Sequence, residues 1–319
     1  MTNPRFDVAG IGNAIVDVLT QTDDAFLERE GLAKGAMTLV DEAQAAAVYD
    51  KAGPAMECSG GSAANTIAVM ARLGAKCAFM GKVKDDAFGR IFGHDIRSLG
   101  VHFDTAAAAD GPATANCLVL VTPDAQRTML TYLGASIHLK PADVDLDVIK
   151  DARVTYLEGY LWDPEDAKQA FRTAAAAARD AGREVALSLS DPFCVDRHRA
   201  DFLDLIEGHV DILFANEAEI LSLYQVDDFD AAVDKVKGHC KIAALTRSEK
   251  GSVVVSGDNV TAVAATPVDK GIFLYGYTRD EDLAACARMG GIAAAEVIAQ
   301  IGARPETDIK AAMSLKLRD

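Results

Sequence analysis

The sequence predicts an α/β protein built on a mostly parallel sheet. Three observations predict it. Short apolar runs rich in β-branched residues alternate with longer segments of helical periodicity, which is the rhythm of βαβ units. The runs are the kind found in sheets covered on both faces. At 319 residues the chain suits a large α/β domain with an appendage.

In chain order, strands are expected over residues 6–11, 76–83, 154–158, 184–189, 211–215, 242–246 and 252–255. Helices are expected over 62–73, 88–99, 164–181, 217–224, 229–237 and 282–301. Gly74, Gly100 and Gly182 stand where helix C-terminal stops belong. Two stretches, 15–51 and 114–133, read as strands and turns with little α/β alternation. Within the second, 115–121 and 127–133 flank the turn-forming Thr122-Pro123-Asp124-Ala125 and make a hairpin. The expected organisation is a large α/β domain (1–14, 52–113 and 134–319) carrying a small β-lid (15–51 and 114–133).

Composition excludes several functions. No apolar run approaches the roughly 20 residues that span a bilayer, and the N-terminal residues lack the apolar core of an export signal. Six widely spaced cysteines without a C-x-x-C pair read as reduced core thiols. The expected location is cytoplasmic, with no membrane partner. A formal charge of −16 opposes nucleic acid as a partner. A small anion held by local amides and a metal remains compatible. The six histidines form no i, i+4 metal pair, and there is no G-x-x-x-x-G-K-[ST] or G-x-S-x-G motif. Gly10-Ile11-Gly12 lacks the third glycine of a dinucleotide fingerprint, because position 15 is Ile15.

Four places could carry chemistry. Gly60-Gly61-Ser62-Ala63-Ala64-Asn65 precedes a helix, so its glycines allow close approach to a ligand beside free helix N–H groups. Asn65 could both donate to and accept from sugar hydroxyls. The bland reading is a glycine turn with Ser62 as N-cap. Asn216-Glu217-Ala218-Glu219 follows a strand directly, at the sheet edge where α/β proteins bind ligands. It suits a hydrated Mg²⁺, or simply helix capping. Asp191 and the loop from Thr246 and Arg247 to Gly251 stand at equivalent strand ends, where a nucleotide pocket or an ordinary turn fits. Asp17, in Ile15-Val16-Asp17-Val18-Leu19, is a solvent-facing strand position or the acceptor for a cis-diol.

Together these segments resemble the ribokinase-like (PfkB) carbohydrate kinase family, and within it the bacterial adenosine kinase type. Residues 60–65, followed by Gly74 and by 81–89 (GKVKDDAFG), are similar to the N-terminal signature. Asn216 to Glu219 is similar to the N-x-x-E motif, and 10–17 to the opening strand whose acid binds the sugar diol. The likeness covers nearly the whole chain.

The resemblance implies a three-layer ribokinase-like sandwich with a β-lid, and phosphoryl transfer from ATP with Mg²⁺. The acceptor would be the hydroxymethyl group of a ribose-containing small molecule, with adenosine to AMP as the leading case. A ribokinase or another sugar or nucleoside kinase is the alternative. It implies substrate binding by Asn13, Asp17, Gly60, Gly61, Ser62 and Asn65. The nucleotide side would be Asn216, Thr246, Arg247 and Gly251, with Glu219 reaching the metal through water. A monomer or a homodimer is compatible.

One part of the pattern is missing. The family's D-T-x-G-A-G-D segment, whose amides form the anion hole and whose last Asp is the base, is expected between Lys270 and Gly271. Those residues are adjacent in this sequence, so no catalytic residue is assigned. Either a mobile phosphate loop lies outside these 319 residues, leaving a wide separation between Lys270 and Gly271, or the deletion is real and the chain binds without catalysing.

Overall fold

The computed structural model describes residues 3–264 and 270–289. The N-terminal half runs β1 (Phe6–Ile11), β2 (Ile15–Gln21), α1 (Asp24–Arg29), β3 (Met37–Leu39), α2 (Glu42–Tyr49), β4 (Ala55–Gly60), α3 (Ser62–Arg72), β5 (Cys77–Met80), α4 (Ala87–Ser98), β6 (Ala115–Val121) and β7 (Arg127–Tyr132). Then follow α5 (Leu146–Lys150), β8 (Ala152–Glu158), α6 (Glu165–Asp180), β9 (Glu184–Ser188), α7 (Pro192–His209), β10 (Ile212–Asn216), α8 (Glu217–Tyr224), α9 (Phe229–Val236), β11 (Ile242–Thr246), β12 (Ser252–Ser256), β13 (Asn259–Val263) and α10 (Lys270–Tyr277).

Eight strands form the main sheet in the order β13-β12-β11-β10-β9-β8-β1-β5. Its six strands from β11 to β5 are parallel; β12 and β13 add an antiparallel hairpin at one edge. Alternating side chains feed two cores, one on each face. Leu213 and Ala215 of β10 with Ala243 and Leu245 of β11 join the cluster around Trp162, Phe171 and Phe202. Ile212, Phe214, Ile242 and Ala244 join the opposite cluster, with Phe79, Phe92 and Phe273. A sheet buried on both faces needs apolar residues at both parities, which is why these strands read as uninterrupted apolar runs.

A second, five-stranded sheet has the order β3-β7-β6-β2-β4. β6 and β7 pair antiparallel around the turn at residues 122–126, and β2 pairs parallel to β6. Three expectations need correction here. Residues 15–51 contain two helices besides strands, since Asp23 caps α1 and Asp41 with Gln44 closes a capping box on α2. β4, placed with the large domain above, pairs with β2 in this second sheet. Ser62 is the first helical residue of α3 and not its cap; that position belongs to Gly61.

Besides α1, α2, β4 and α5, two longer or edge elements went unread in the sequence. α7 is one, its apolar periodicity broken by Asp196-Arg197-His198-Arg199 and its backbone kinked at His198. The other is β13, a half-exposed strand with little apolar signal. The helix expected over 282–301 is helical over 283–289, with Asp282 capping it through Ala285 N–H at 2.7 Å. Its remainder lies outside the described residues. None of the six cysteines forms a disulfide. None of the described helices is long and apolar enough to cross a membrane.

Asp86 ties the two sheets together. Its carboxylate caps α4 through Gly89 N–H (2.7 Å) and also accepts from Thr114 N–H (2.8 Å) and the Thr114 hydroxyl (2.7 Å), one residue before β6. Asp86→Ala removes a cap and leaves the buried Thr114 groups short of a partner. It should lower stability by about 2–3 kcal/mol. A urea midpoint equal to that of the parent protein would show that this tie carries no weight.

Candidate functional site

The site forms where the carboxyl ends of β1 and β8 meet the start of α3 and the second sheet. Glu158, the last residue of β8, is 1% exposed. Its Oε2 accepts the backbone N–H of Asn13 at 2.9 Å and that of Ala63 at 3.4 Å. One buried carboxylate thus fixes both the turn leaving β1 and the first turn of α3. The approach is close enough to demand glycine. A Cβ at Gly12 would collide with the Glu158 carboxylate, and one at Gly61 with the carbonyl oxygen of Asn13. Gly61 also takes φ +98°, a backbone region that side chains disfavour. The Ser136 hydroxyl donates to Asn13 Oδ1 at 2.8 Å, which orients the Asn13 amide.

Asp17 stands half-buried on β2, across from Cys58 of β4 and Cys117 of β6. Its carboxylate lies directly over Gly60, where any Cβ would overlap it. Burial, and then the negative charge of Asp17, push the neighbouring Cys117 thiol up to about 12. That thiol therefore stays neutral.

A cavity of about 620 Å³ opens above these groups. Asn13, Asp17, Gly61, Ser62 and Asn65 are among its polar lining residues. Ile15, Leu19, Val119, Met129 and Leu133, from the second sheet and the residue after it, add apolar surface beside Arg127 and Thr131. Across the mouth stand Tyr160, Asp163, Asp191, Phe193 and Arg197, none of them singled out as ligand groups except Asp191. Asp191 caps α7 by accepting from Phe193 N–H (2.7 Å) and Cys194 N–H (3.3 Å). Burial would raise the Asp163 carboxyl, but the Arg197 guanidinium and His198 outweigh it and hold the carboxyl below its ordinary range. The Tyr160 phenol is pushed up to about 12, first by burial and then by the negative fields of Asp191, Glu219 and Glu158.

The remaining expected residues lie along the same sheet edge but do not line that cavity. Gly60 acts from behind Asp17. Asn216 and Thr246 are register partners at the ends of β10 and β11. Asn216 and Glu219 form a reciprocal capping box: Glu219 N–H donates to Asn216 Oδ1 (2.8 Å), while Asn216 N–H and Nδ2 donate to the Glu219 oxygens (3.0 and 2.7 Å). Arg247 pairs with Glu217 at 2.8 Å and lies over the Phe229 ring at 3.8 Å. Gly251 closes the turn back into β12, its carbonyl accepting from Arg247 N–H at 2.8 Å.

Two further points concern chemistry. Among the described residues no three His, Cys, Asp or Glu side chains converge to hold a metal ion. α10 runs from Lys270 to Tyr277. Residues 265–269 lie outside the described set.

The model of the pfkB family carbohydrate kinases matches residues 41–310. The chain belongs to this family. Its architecture is accordingly the ribokinase-like α/β sandwich. An adenosine kinase structure from Sinorhizobium meliloti is 47% identical with a TM-score of 0.88, covering 99% of this chain and 100% of that one. A probable sugar kinase structure from Rhizobium etli CFN 42 is likewise 47% identical, with a TM-score of 0.90 and coverage of 98% and 99%. Among curated relatives, the probable fructokinase-6, chloroplastic, of Arabidopsis thaliana is 32% identical over 200 residues. That match takes in 60% of this chain but only 51% of the relative, and 62% of the next, a probable fructokinase-4. An ATP-dependent ribose-1-phosphate kinase of Halopiger xanaduensis is 30% identical over 215 residues, 65% of this chain and 68% of the relative.

Glu158 offered one readable signal, a carboxylate ending an apolar strand. Glu158→Ala strands two N–H groups and should cost about 2–4 kcal/mol. Calorimetric unfolding checks this, and a loss below about 1 kcal/mol would mean that water takes over the carboxylate's role. Gly60→Ala should instead displace Asp17, leaving the fold near its parent stability while weakening ligand binding in the same cavity by about tenfold.

Proposed function

We propose that the protein transfers a phosphoryl group from ATP to the hydroxymethyl group of a ribose-containing substrate, with adenosine as the preferred one. The observation that carries this reading is the mixed lining of the cavity. Asp17, Asn13 and Asn65 match the hydroxyls of a furanose, and the apolar residues of the second sheet match a flat base. A free sugar would leave that apolar surface without a partner. The name of the Sinorhizobium relative agrees with a nucleoside; the fructokinase and ribose-1-phosphate kinase names keep other sugar substrates as the alternative.

In this reading residues 15–51 and 114–133 form a lid over the larger unit, with β4 contributing an edge. Asp17 accepts two ribose hydroxyls, and Asn65 completes the set from the first turn of α3. Asn216, Thr246, Arg247 and Gly251 face the nucleotide at the adjoining strand ends. The buried Glu219, both oxygens of which already accept from Asn216, fits a metal ion that keeps its own water shell. Mg²⁺ bound there would neutralise charge on the transferring phosphoryl group. The residues themselves position the acceptor hydroxyl and exclude water as the lid closes. The proton acceptor and anion hole of the D-T-x-G-A-G-D segment are not encoded at the Lys270–Gly271 junction. The kinase reading therefore needs a segment beyond these residues, and without it the same cavity makes a nucleoside-binding protein.

The protein should convert adenosine to AMP with Mg-ATP. Asp17→Asn should weaken adenosine by about 1.5–3 kcal/mol while leaving ATP affinity nearly unchanged. Calorimetry and product analysis read these out. An intact mass matching 33.7 kDa, adenosine binding and no ATP-dependent product would together replace the kinase reading with the binding one. Unchanged adenosine affinity in a folded Asp17→Asn protein would remove Asp17 from the site.

A further inference from the structure

We propose that a second site, at the amino end of the main sheet, binds a small phosphate-bearing anion. A depression of about 580 Å³ opens there, at the opposite end of the strands from the nucleoside cavity. Arg5, Lys76, Arg153, Arg183 and Arg279 line it, with Asp7 as its one acid. Five of ten lining residues are basic, against 32 of 319 in the whole chain, which carries a net charge of −16.

The placement is ordered. Arg183, Arg153, Arg5 and Lys76 sit at or just before the starts of β9, β8, β1 and β5, which are consecutive neighbours in the sheet. Each strand start thus presents one cation to the same depression, and Arg279 joins from just beyond α10. Bringing five like charges together opposes folding unless something offsets it.

Internal acids offset only part of it. Arg279 stands 3.7 Å from Asp7, and Arg5 stands 3.9 Å from Asp151, both beyond hydrogen-bond reach. Lys76 has no ion-pair partner among the described residues, although its own backbone N–H donates to Asp7 at 2.8 Å. Arg153 is the most committed, donating to the Thr278 carbonyl at 2.7 Å and pairing with Asp280. Arg183 donates through Nε to the Lys150 carbonyl at 3.0 Å, which fixes its stem. These contacts hold the Arg153 and Arg183 stems beside the depression, and guanidinium groups suit phosphate oxygens in shape and charge.

The ligand class follows from size and charge. Two or more negative charges in a compact group match several converging cations, whereas the acidic remainder of the surface repels a long polyanion. A diphosphate group satisfies both conditions better than a single phosphate.

The test is calorimetry on the full chain at low ionic strength, with pyrophosphate and with inorganic phosphate, each against sodium chloride of matched ionic strength. Pyrophosphate should bind once per chain and more tightly than phosphate. Lys76→Glu and Arg5→Glu, both at exposed positions, should each weaken it by about tenfold while far-UV circular dichroism stays unchanged. Asp17→Asn should leave it intact. If either reversal disturbs the fold, the other still decides. Absence of saturable heat, or pyrophosphate binding indifferent to both reversals, overturns the proposal. So does a DNA oligonucleotide that binds through these cations when pyrophosphate does not.

Discussion

One buried carboxylate holds the working end of this molecule together. Glu158 closes β8, and its Oε2 collects N–H groups from the β1–β2 turn and from the start of α3. A carboxylate in so dry a place is tolerated only because those dipoles are fixed around it. The three segments it joins are far apart in sequence, and each carries part of the cavity: Asn13 from the first, Ser62 and Asn65 from the second, Tyr160 just beyond the third. Gly12 and Gly61 exist at the two places where the resulting approach leaves no room for a Cβ. Gly12 answers directly to the glutamate, while Gly61 answers to the Asn13 carbonyl and to its own positive φ.

Electrostatics divides the sheet along its strand axis. The carboxyl end gathers Glu158, Asp191 and Glu219 around Tyr160, and the amino end gathers five cations beside Asp7. The strands β1 and β8 run between the two ends, from Arg5 to Asn13 and from Arg153 to Glu158. The net charge of the chain hides this polarity, because a sum carries no position.

Much of the large sheet was legible because its code is local. Doubly buried parallel strands are apolar at both parities, and β1, β11 and α8 fall where that rule places them. α7 was not legible: its charged stretch at residues 196–199 breaks the apolar pattern, and the packing of Phe202 against Trp162, with ring centroids 5.2 Å apart, decides instead. The helices α1 and α2 were hidden by short length, although their caps, Asp23 and Asp41, were visible as residue types. At the site, motif spacing brought Asn13, Asp17, Gly61, Ser62 and Asn65 to one cavity. Residues such as Ser136, Tyr160 and Arg197 carry no spacing signal, since only the tertiary arrangement brings them to the mouth. Gly60 had a signal and the wrong explanation. It makes room for a carboxylate of its own chain and does not line the cavity.

The strand order also dictates how this chain can be made. β8 to β13 are sheet neighbours in sequence order, so the carboxyl-terminal half can assemble by adding each strand to the one before. β1 is different, because its register with β8 pairs Phe6 with Ala152. During synthesis the first strand leaves the ribosome with its β8 edge open and must wait for some 140 further residues before that edge is covered. Closing so long a loop costs entropy and delays the step. In the interval an apolar strand with an open edge is exposed to other nascent chains. The geometry that places Asn13 beside Glu158 thus leaves one edge of the amino-terminal strand open until β8 emerges, although β5 can cover its other edge earlier.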